Sequence, residues 1–274
     1  MKNKKLLLLS AALFAATSFI MVSCKKEIST ETTAINTVPP GQNELKIMLT
    51  DDPSQIFDSI FIDIQRVEVR VKDSLGVEHW DTLSIRTGLY NILNFRNGLD
   101  TLLASGFVPR GSIEKIRITL GTASYAMFNG IITPLPIPAG LNVITISVDD
   151  DVDHDDHNRL RLWLDFDGHS SIEFRNGRFE LRLRIGHFSH HGSGEVEGKI
   201  KPSAAFPVVI KAVAGTDTLT AIPDREGEFK IRGIRTSTAT LIITPSNGYK
   251  DSVINNIQIR QGNDTDLGTI VLHR

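Results

Sequence analysis

The densest run of chemistry-bearing side chains is Asp149-Asp-Asp-Val-Asp-His-Asp-Asp-His157. Carboxylates packed this closely repel one another, and a divalent cation, calcium or zinc, relieves that repulsion. Asp151, Asp153 and Asp155 have the alternate spacing of a calcium loop. The pattern then breaks, because Asp156 stands where the tight-turn glycine belongs and Leu162 where the distal glutamate belongs. Zinc would draw on His154 and His157 and needs a third ligand from elsewhere. Two readings stand for Asp149, Asp151, Asp153, His154, Asp155 and His157: a solvated hairpin loop, or a cation site. His187, His190 and His191 form a second polar run, and Asp165 and Asp167 sit two apart at a strand end, where aspartate commonly supports a turn. Trp80 and Trp163 are the two tryptophans, and an exposed indole can stack on a sugar. Packing is the first reading for Trp80. Trp163 lies opposite the Leu160, Leu162 and Leu164 face, hence outward or at an interface. Neither a Gly-x-Ser-x-Gly elbow, a His-Glu-x-x-His helix, a phosphate-binding glycine loop nor a dinucleotide fingerprint occurs, which predicts a protein that is not an enzyme.

Position in the cell is written at the N-terminus. Lys2, Lys4 and Lys5 precede an apolar run from Leu6 to Val22, which ends in Met21-Val22-Ser23-Cys24. A spanning helix needs about 20 apolar residues, and this run is shorter and holds three hydroxyl residues. It ends directly on the single cysteine of the chain. The stretch resembles a bacterial lipoprotein signal peptide with its lipobox, which implies cleavage after residue 23 and lipid on Cys24. Several acyl chains on one residue make an effectively permanent anchor, at about 0.8 kcal/mol per buried methylene. Lys25 follows where an aspartate often signals inner-membrane retention, so the resemblance implies an outer-membrane lipoprotein of the cell envelope.

Size and charge narrow the class further. The 274 residues leave room for two domains beyond a leader, and 41% hydrophobic with 23% charged residues describes a globular chain. Removing the three leader lysines leaves 27 basic against 32 acidic residues, a net charge of about −5. That argues against nucleic acid as a partner, which calls for a basic face. Residues 24–42 hold the lipidated cysteine and a Thr-rich stretch ending in Pro39-Pro40-Gly41, too polar to bury a core. They read as a disordered tether with a reach of roughly 25 Å.

From Glu44 onward the period is two, and no segment shows a 3.6-residue amphipathic repeat, so the expected class is all-β. Ile60, Ile62 and Ile64 occupy even positions and Val67, Val69 and Val71 odd ones, which requires one extra residue and predicts a β-bulge near Gln65-Arg66. Asp73–Gly76 and Asn129-Gly130 are turns, while Pro134, Pro136 and Pro138 forbid a central strand. Tyr90–Phe95 fits either a short strand or a helical turn. Leu160, Leu162, Leu164 and Phe166, followed by Asn176-Gly177 and the alternating Phe179, Leu181, Leu183 and Ile185, predict a hairpin. The segment Leu45–Ile185 resembles an uncharacterised domain family of lipid-anchored envelope proteins. The resemblance rests on Leu45-Lys-Ile-Met-Leu-Thr-Asp-Asp-Pro53, Trp80, Phe95–Gly98 and Leu162-Trp-Leu-Asp-Phe-Asp167 followed by Ser170-Ser171-Ile172. It implies fold and location and no chemistry.

Beyond a polar linker at residues 187–194, Asp224-Arg-Glu-Gly-Glu-Phe229, Gly233-Ile234, Gly248-Tyr249 and Asp266-Leu-Gly-Thr-Ile270 resemble the transthyretin-like sandwich called carboxypeptidase regulatory-like. That name implies no peptidase, and the fold is grouped with carbohydrate-binding sandwiches. The expected organisation is a leader at 1–23, a tether at 24–42, and two tandem β-sandwiches at 43–186 and 195–274. The expected partners are the membrane through Cys24 and an unknown protein or glycan. A binding or structural display module is the leading reading, a carbohydrate-binding accessory lipoprotein the alternative, and a metal-dependent hydrolase a distant third.

Overall fold

Two aliphatic runs meet face to face. Leu45, Ile47 and Leu49 from the strand Gln42–Asp52, and Ile60 to Val71 from the long strand Ser59–Asp73, turn their buried side chains toward one another. The computed structural model describes residues 37–52, 57–149, 151–168 and 170–274. Cys24, its leader, the tether up to residue 36, and Asp150 lie outside the described residues.

Gln42–Asp52 is central to the first sheet, between Arg159–Asp167 and Thr101–Pro109, with Asp153–His154 and Ser84–Ile85 at the edges. The second sheet runs Val143–Ser147, Gly111–Leu120, Ser59–Asp73, Tyr125–Phe128 and Ile131–Pro134. The bulge falls as expected: Ile64 pairs Leu120 and Arg66 pairs Thr119, leaving Gln65 extra. Gln65 and Arg66 both face solvent, and burial resumes at Val67 in the opposite phase. Asn129 and Gly130 take positive φ at 48° and 74°, making the two-residue turn between Tyr125–Phe128 and Ile131–Pro134. The ambiguous stretch is both things in succession, a strand at Gly88–Asn91 and a 3-10 turn at Ile92–Phe95.

One expectation is corrected. Arg159–Asp167 does not pair with Phe179 to Leu183 across the Asn176-Gly177 turn; of the expected returning strand only Ile185 lies opposite it, facing Phe166. That turn joins Ile172–Arg175 to Arg178–Leu181, a separate ribbon. Arg159–Asp167 pairs in parallel with Gln42–Asp52, Leu160 opposite Leu45 and Leu164 opposite Leu49, and antiparallel with Ile185–Phe188 along its other edge. Both strands alternate in phase, so either pairing satisfies their apolar faces. The parallel one brings Leu160, Leu162, Leu164 and Phe166 into the core beside Leu45, Ile47 and Leu49.

A second apolar cluster lies between the sheet Glu228–Ile234, Gly194–Lys201, Asp264–Val271 and the sheet Asp217–Ala221, Val209–Ala214, Thr238–Thr244, Ser252–Gln258. Val196, Ile231, Ile210 and Leu241 are among its fully or almost fully buried members. The residues read as a linker carry structure of their own. Ile185–Phe188 is a strand pairing Phe166 to Trp163, and Ser189 and Ser193 are buried. From Val38 to Arg274 the chain forms one compact unit holding both clusters.

Candidate functional site

The chemistry-bearing residues collect where the two sandwiches meet. Trp163 is 5% exposed, and its ring stacks on Phe188 with centroids 5.8 Å apart and planes 8° from parallel. Its indole N–H donates to Asp100 Oδ2 at 2.7 Å. Arg232, from Glu228–Ile234 in the second sandwich, donates to the same oxygen at 2.9 Å and to Glu195 Oε1 at 2.8 Å. Its guanidinium lies 5.1 Å from the Trp163 ring centre and 5.5 Å from that of Phe188. Burial works against the guanidinium's charge, yet Glu195 and Asp100 outweigh it and hold Arg232 above its ordinary pKa. Of the two alternatives for Trp163, outward or interfacial, the second is what the fold adopts. At 5% exposure its indole offers almost no surface on which a sugar could stack.

A second set of bonds runs beside the first. Asn97 donates to the Glu228 carbonyl at 3.0 Å and accepts from the Lys230 N–H at 2.7 Å, as a strand partner would. Lys230 Nζ meets Glu195 at 2.9 Å, Asp264 at 3.0 Å and Glu197 at 3.2 Å. Burial lowers the ammonium's pKa, but these carboxylates more than reverse it and hold it above the usual lysine range. Gly98 has φ +80°, and a Cβ there would lie 2.8 Å from Lys230 Cδ. Gly98→Ala is therefore expected to lower stability by about 1–2 kcal/mol, through left-handed strain and displacement of a pinned lysine. A urea denaturation midpoint unchanged from the parent would contradict this.

The acidic cluster is engaged in the same junction. Asp153 accepts from the backbone N–H of His190 at 3.0 Å and of His191 at 2.8 Å, with His191 Nδ1 at 2.7 Å. Asp151 accepts from Ser189 Oγ and from Arg235 Nη2, the latter at 2.6 Å, with His187 Nε2 at 3.7 Å. Burial, then the Arg235 charge, holds the His187 imidazole below its ordinary pKa. Asp155 turns onto the N–H groups of His157 and Arg159 at 2.8 and 3.0 Å. Asp149, His154 and His157 are exposed. Among the described residues no three His, Cys, Asp or Glu side chains group to hold a metal ion. Trp80 is away from the junction and 39% exposed, with the Arg117 guanidinium 4.0 Å from its ring centre. Its packing partner is thus a cation: Arg117 binds Glu68 at 2.8 and 2.9 Å and holds that carboxyl below the usual range.

Asp165 is the anomalous acid. It lines the space between the first sheet and the second sandwich, and loss of solvent, reinforced by the neighbouring Asp167, pushes its carboxyl up to about 7. Arg232, Asp100, Asn97 and Glu195 were not singled out by sequence reasoning. In Phe229-Lys-Ile-Arg-Gly233 the alternation marks Arg232 as an ordinary outward-facing cation, and only the neighbouring sandwich gives it partners.

The model of a family described as a domain of unknown function (DUF4382) matches residues 42–182. No curated protein matches the chain. Among solved structures, the chain is similar to an interface mutant of the type II cohesin–X–dockerin complex from Acetivibrio cellulolyticus. The identity is 25%, the match covers 29% of this chain and 56% of that one, and the TM-score is 0.24. It is also similar to the shaft pilin of Lactobacillus rhamnosus GG, at 9% identity over 85% of this chain and 96% of that one, with a TM-score of 0.22. The chain spans about 56% of the length of the first of these.

Proposed function

The chain belongs to the DUF4382 family, a domain of unknown function, and from that premise we propose a lipid-anchored cell-envelope protein that acts as a non-catalytic binding and display module. What carries the reading is how the chemistry-bearing side chains are engaged. Asp100, Asp151, Asp153, Glu195 and Arg232 bond across or beside the junction, so they join the two sandwiches into one body. Such a body on a tether presents a fixed surface at a distance from a membrane. In this reading the second sandwich is the transthyretin-like, carboxypeptidase regulatory-like fold, with no peptidase activity, and the location is the outer membrane.

Anchoring is tested at Cys24. Cys24→Ser in the producing cell is expected to abolish incorporation of labelled palmitate and to move the protein from the membrane to the soluble fraction. Retention in membranes with unchanged labelling would overturn the anchored reading and leave the junction as described.

A further inference from the structure

We propose that the groove beside the junction binds a polyhydroxylated carboxylate, the chemistry of a uronic-acid saccharide, with Arg161 receiving the carboxylate. The inference rests on the binding half of the proposed function and not on the anchor. The groove encloses about 610 Å³, within the range of small-ligand sites. One wall is the outer face of the first sheet, where Arg159 pairs Glu44 and Arg161 pairs Lys46. Glu44 lies 3.3 Å from Lys46 and 3.2 Å from Arg159, so this carboxylate is already shared by two cations. Among the described residues no carboxylate pairs with Arg161, which is exposed. Its cross-strand neighbour Asp153 bonds to His190 and His191, and its guanidinium lies over the Trp163 ring, 5.8 Å from centre to centre.

The remaining carboxylates of the lining are already held. Glu195 and Asp264 bind Lys230, and Asp155 accepts two backbone N–H groups. They do not compete for Arg161, yet each keeps lone pairs that can accept from a hydroxyl. His154 and His190 add imidazole nitrogens to the same space. Leu160 and Trp163 supply little apolar surface, which disfavours a hydrophobic anchor. Mixed donors and acceptors with one excess guanidinium match a ligand of many hydroxyls and one carboxylate per unit.

The test is calorimetric titration of the full chain with tetragalacturonate, its neutral methyl ester, and tetraglutamate. Saturable tetragalacturonate binding is expected, weakened at least tenfold by methyl esterification and by Arg161→Gln. Lys211→Ala, an exposed cation in the second sandwich, is expected to leave it unchanged. The ester comparison uses the parent protein, so it stands even if a variant misfolds. No saturable binding at millimolar ligand would overturn the proposal, as would equal binding of the ester. Tetraglutamate binding as tightly would show that charge alone is recognised and would overturn the saccharide assignment. Equal losses in Arg161→Gln and Lys211→Ala would do the same for the groove. None of these outcomes bears on Cys24.

Discussion

Replacing Arg232 with alanine is expected to destabilise the chain by about 3 kcal/mol, because the change removes one member of a buried ionic group and leaves the others in place. Glu195 loses a bond of 2.8 Å and Asp100 one of 2.9 Å, while Trp163 and Phe188 lose the guanidinium over their rings. For a domain of this size, that shift lowers the thermal midpoint by roughly 6–12 °C. The form of the transition should change as well. With Arg232 in place the two apolar clusters are coupled and are expected to unfold together; without it, calorimetry is expected to show two transitions. Arg232→Met keeps the stem over Trp163, and pairing it with Asp100→Asn removes one stranded charge. The double variant should recover part of the loss. A single transition within about 2 °C of the parent in Arg232→Ala would show that Arg232 is not what couples the sandwiches and would leave that role to the Asn97 and Arg235 bonds.

The second large effect is a pH dependence centred on Asp165. Its carboxyl titrates near 7 in the folded chain against an ordinary value of 3.8, so the folded state holds the proton more tightly than the unfolded state. Between about pH 4 and 7 the unfolded chain has released that proton while the folded chain keeps it. Stability from this group is therefore fully present below pH 4 and falls as pH rises through 7. A shift of about three units corresponds to roughly 4 kcal/mol at most, and partial exposure of Asp165 brings the expected figure to about 2 kcal/mol. Asp165→Asn mimics the protonated form without titrating. It should match the parent at pH 4 and exceed it by about 2 kcal/mol at pH 8, read by urea denaturation at each pH. Equal pH slopes in the two proteins would remove Asp165 as the cause. The carboxyls of Glu68 and Asp264 act in the opposite sense, because Arg117 and Lys230 lower their pKa values. Their contribution is lost only as pH falls below the ordinary carboxylate range, so the two effects occupy separate windows.

What could be read from the sequence was whatever is decided within a few residues. The phase change between Ile64 and Val67 has one local remedy, and the extra residue is Gln65. Asn129-Gly130 and Asn176-Gly177 specify tight turns because both residues of each adopt positive φ. The misreadings concern partners distant in sequence. Leu160 to Phe166 has an antiparallel partner, Ile185–Phe188, close to where the pattern put it, but its parallel partner Gln42–Asp52 lies more than a hundred residues earlier and no local pattern names it. The polar letters around Phe188 resemble a linker because their bonding partners, Asp151 and Asp153, lie more than thirty residues earlier. The partners of Asp151 and Asp153 in the acidic run are just as distant. Asp153 accepts from the backbone N–H groups of His190 and His191 and Asp151 from Arg235, which no local pattern ties to them.

The placement of Gln42–Asp52 sets an order of events for a newly made chain. This strand is among the first of the folded part to leave a ribosome or an export channel, yet it is central to its sheet. Its antiparallel neighbour Thr101–Pro109 follows some fifty residues later, and its parallel neighbour Arg159–Asp167 more than a hundred. Until then both edges of an apolar strand stand open to other chains, and closing so long a loop is slow. A chain interrupted before residue 167 would keep one of those edges permanently exposed, which makes C-terminal truncation an aggregation hazard rather than a simple loss of the second sandwich.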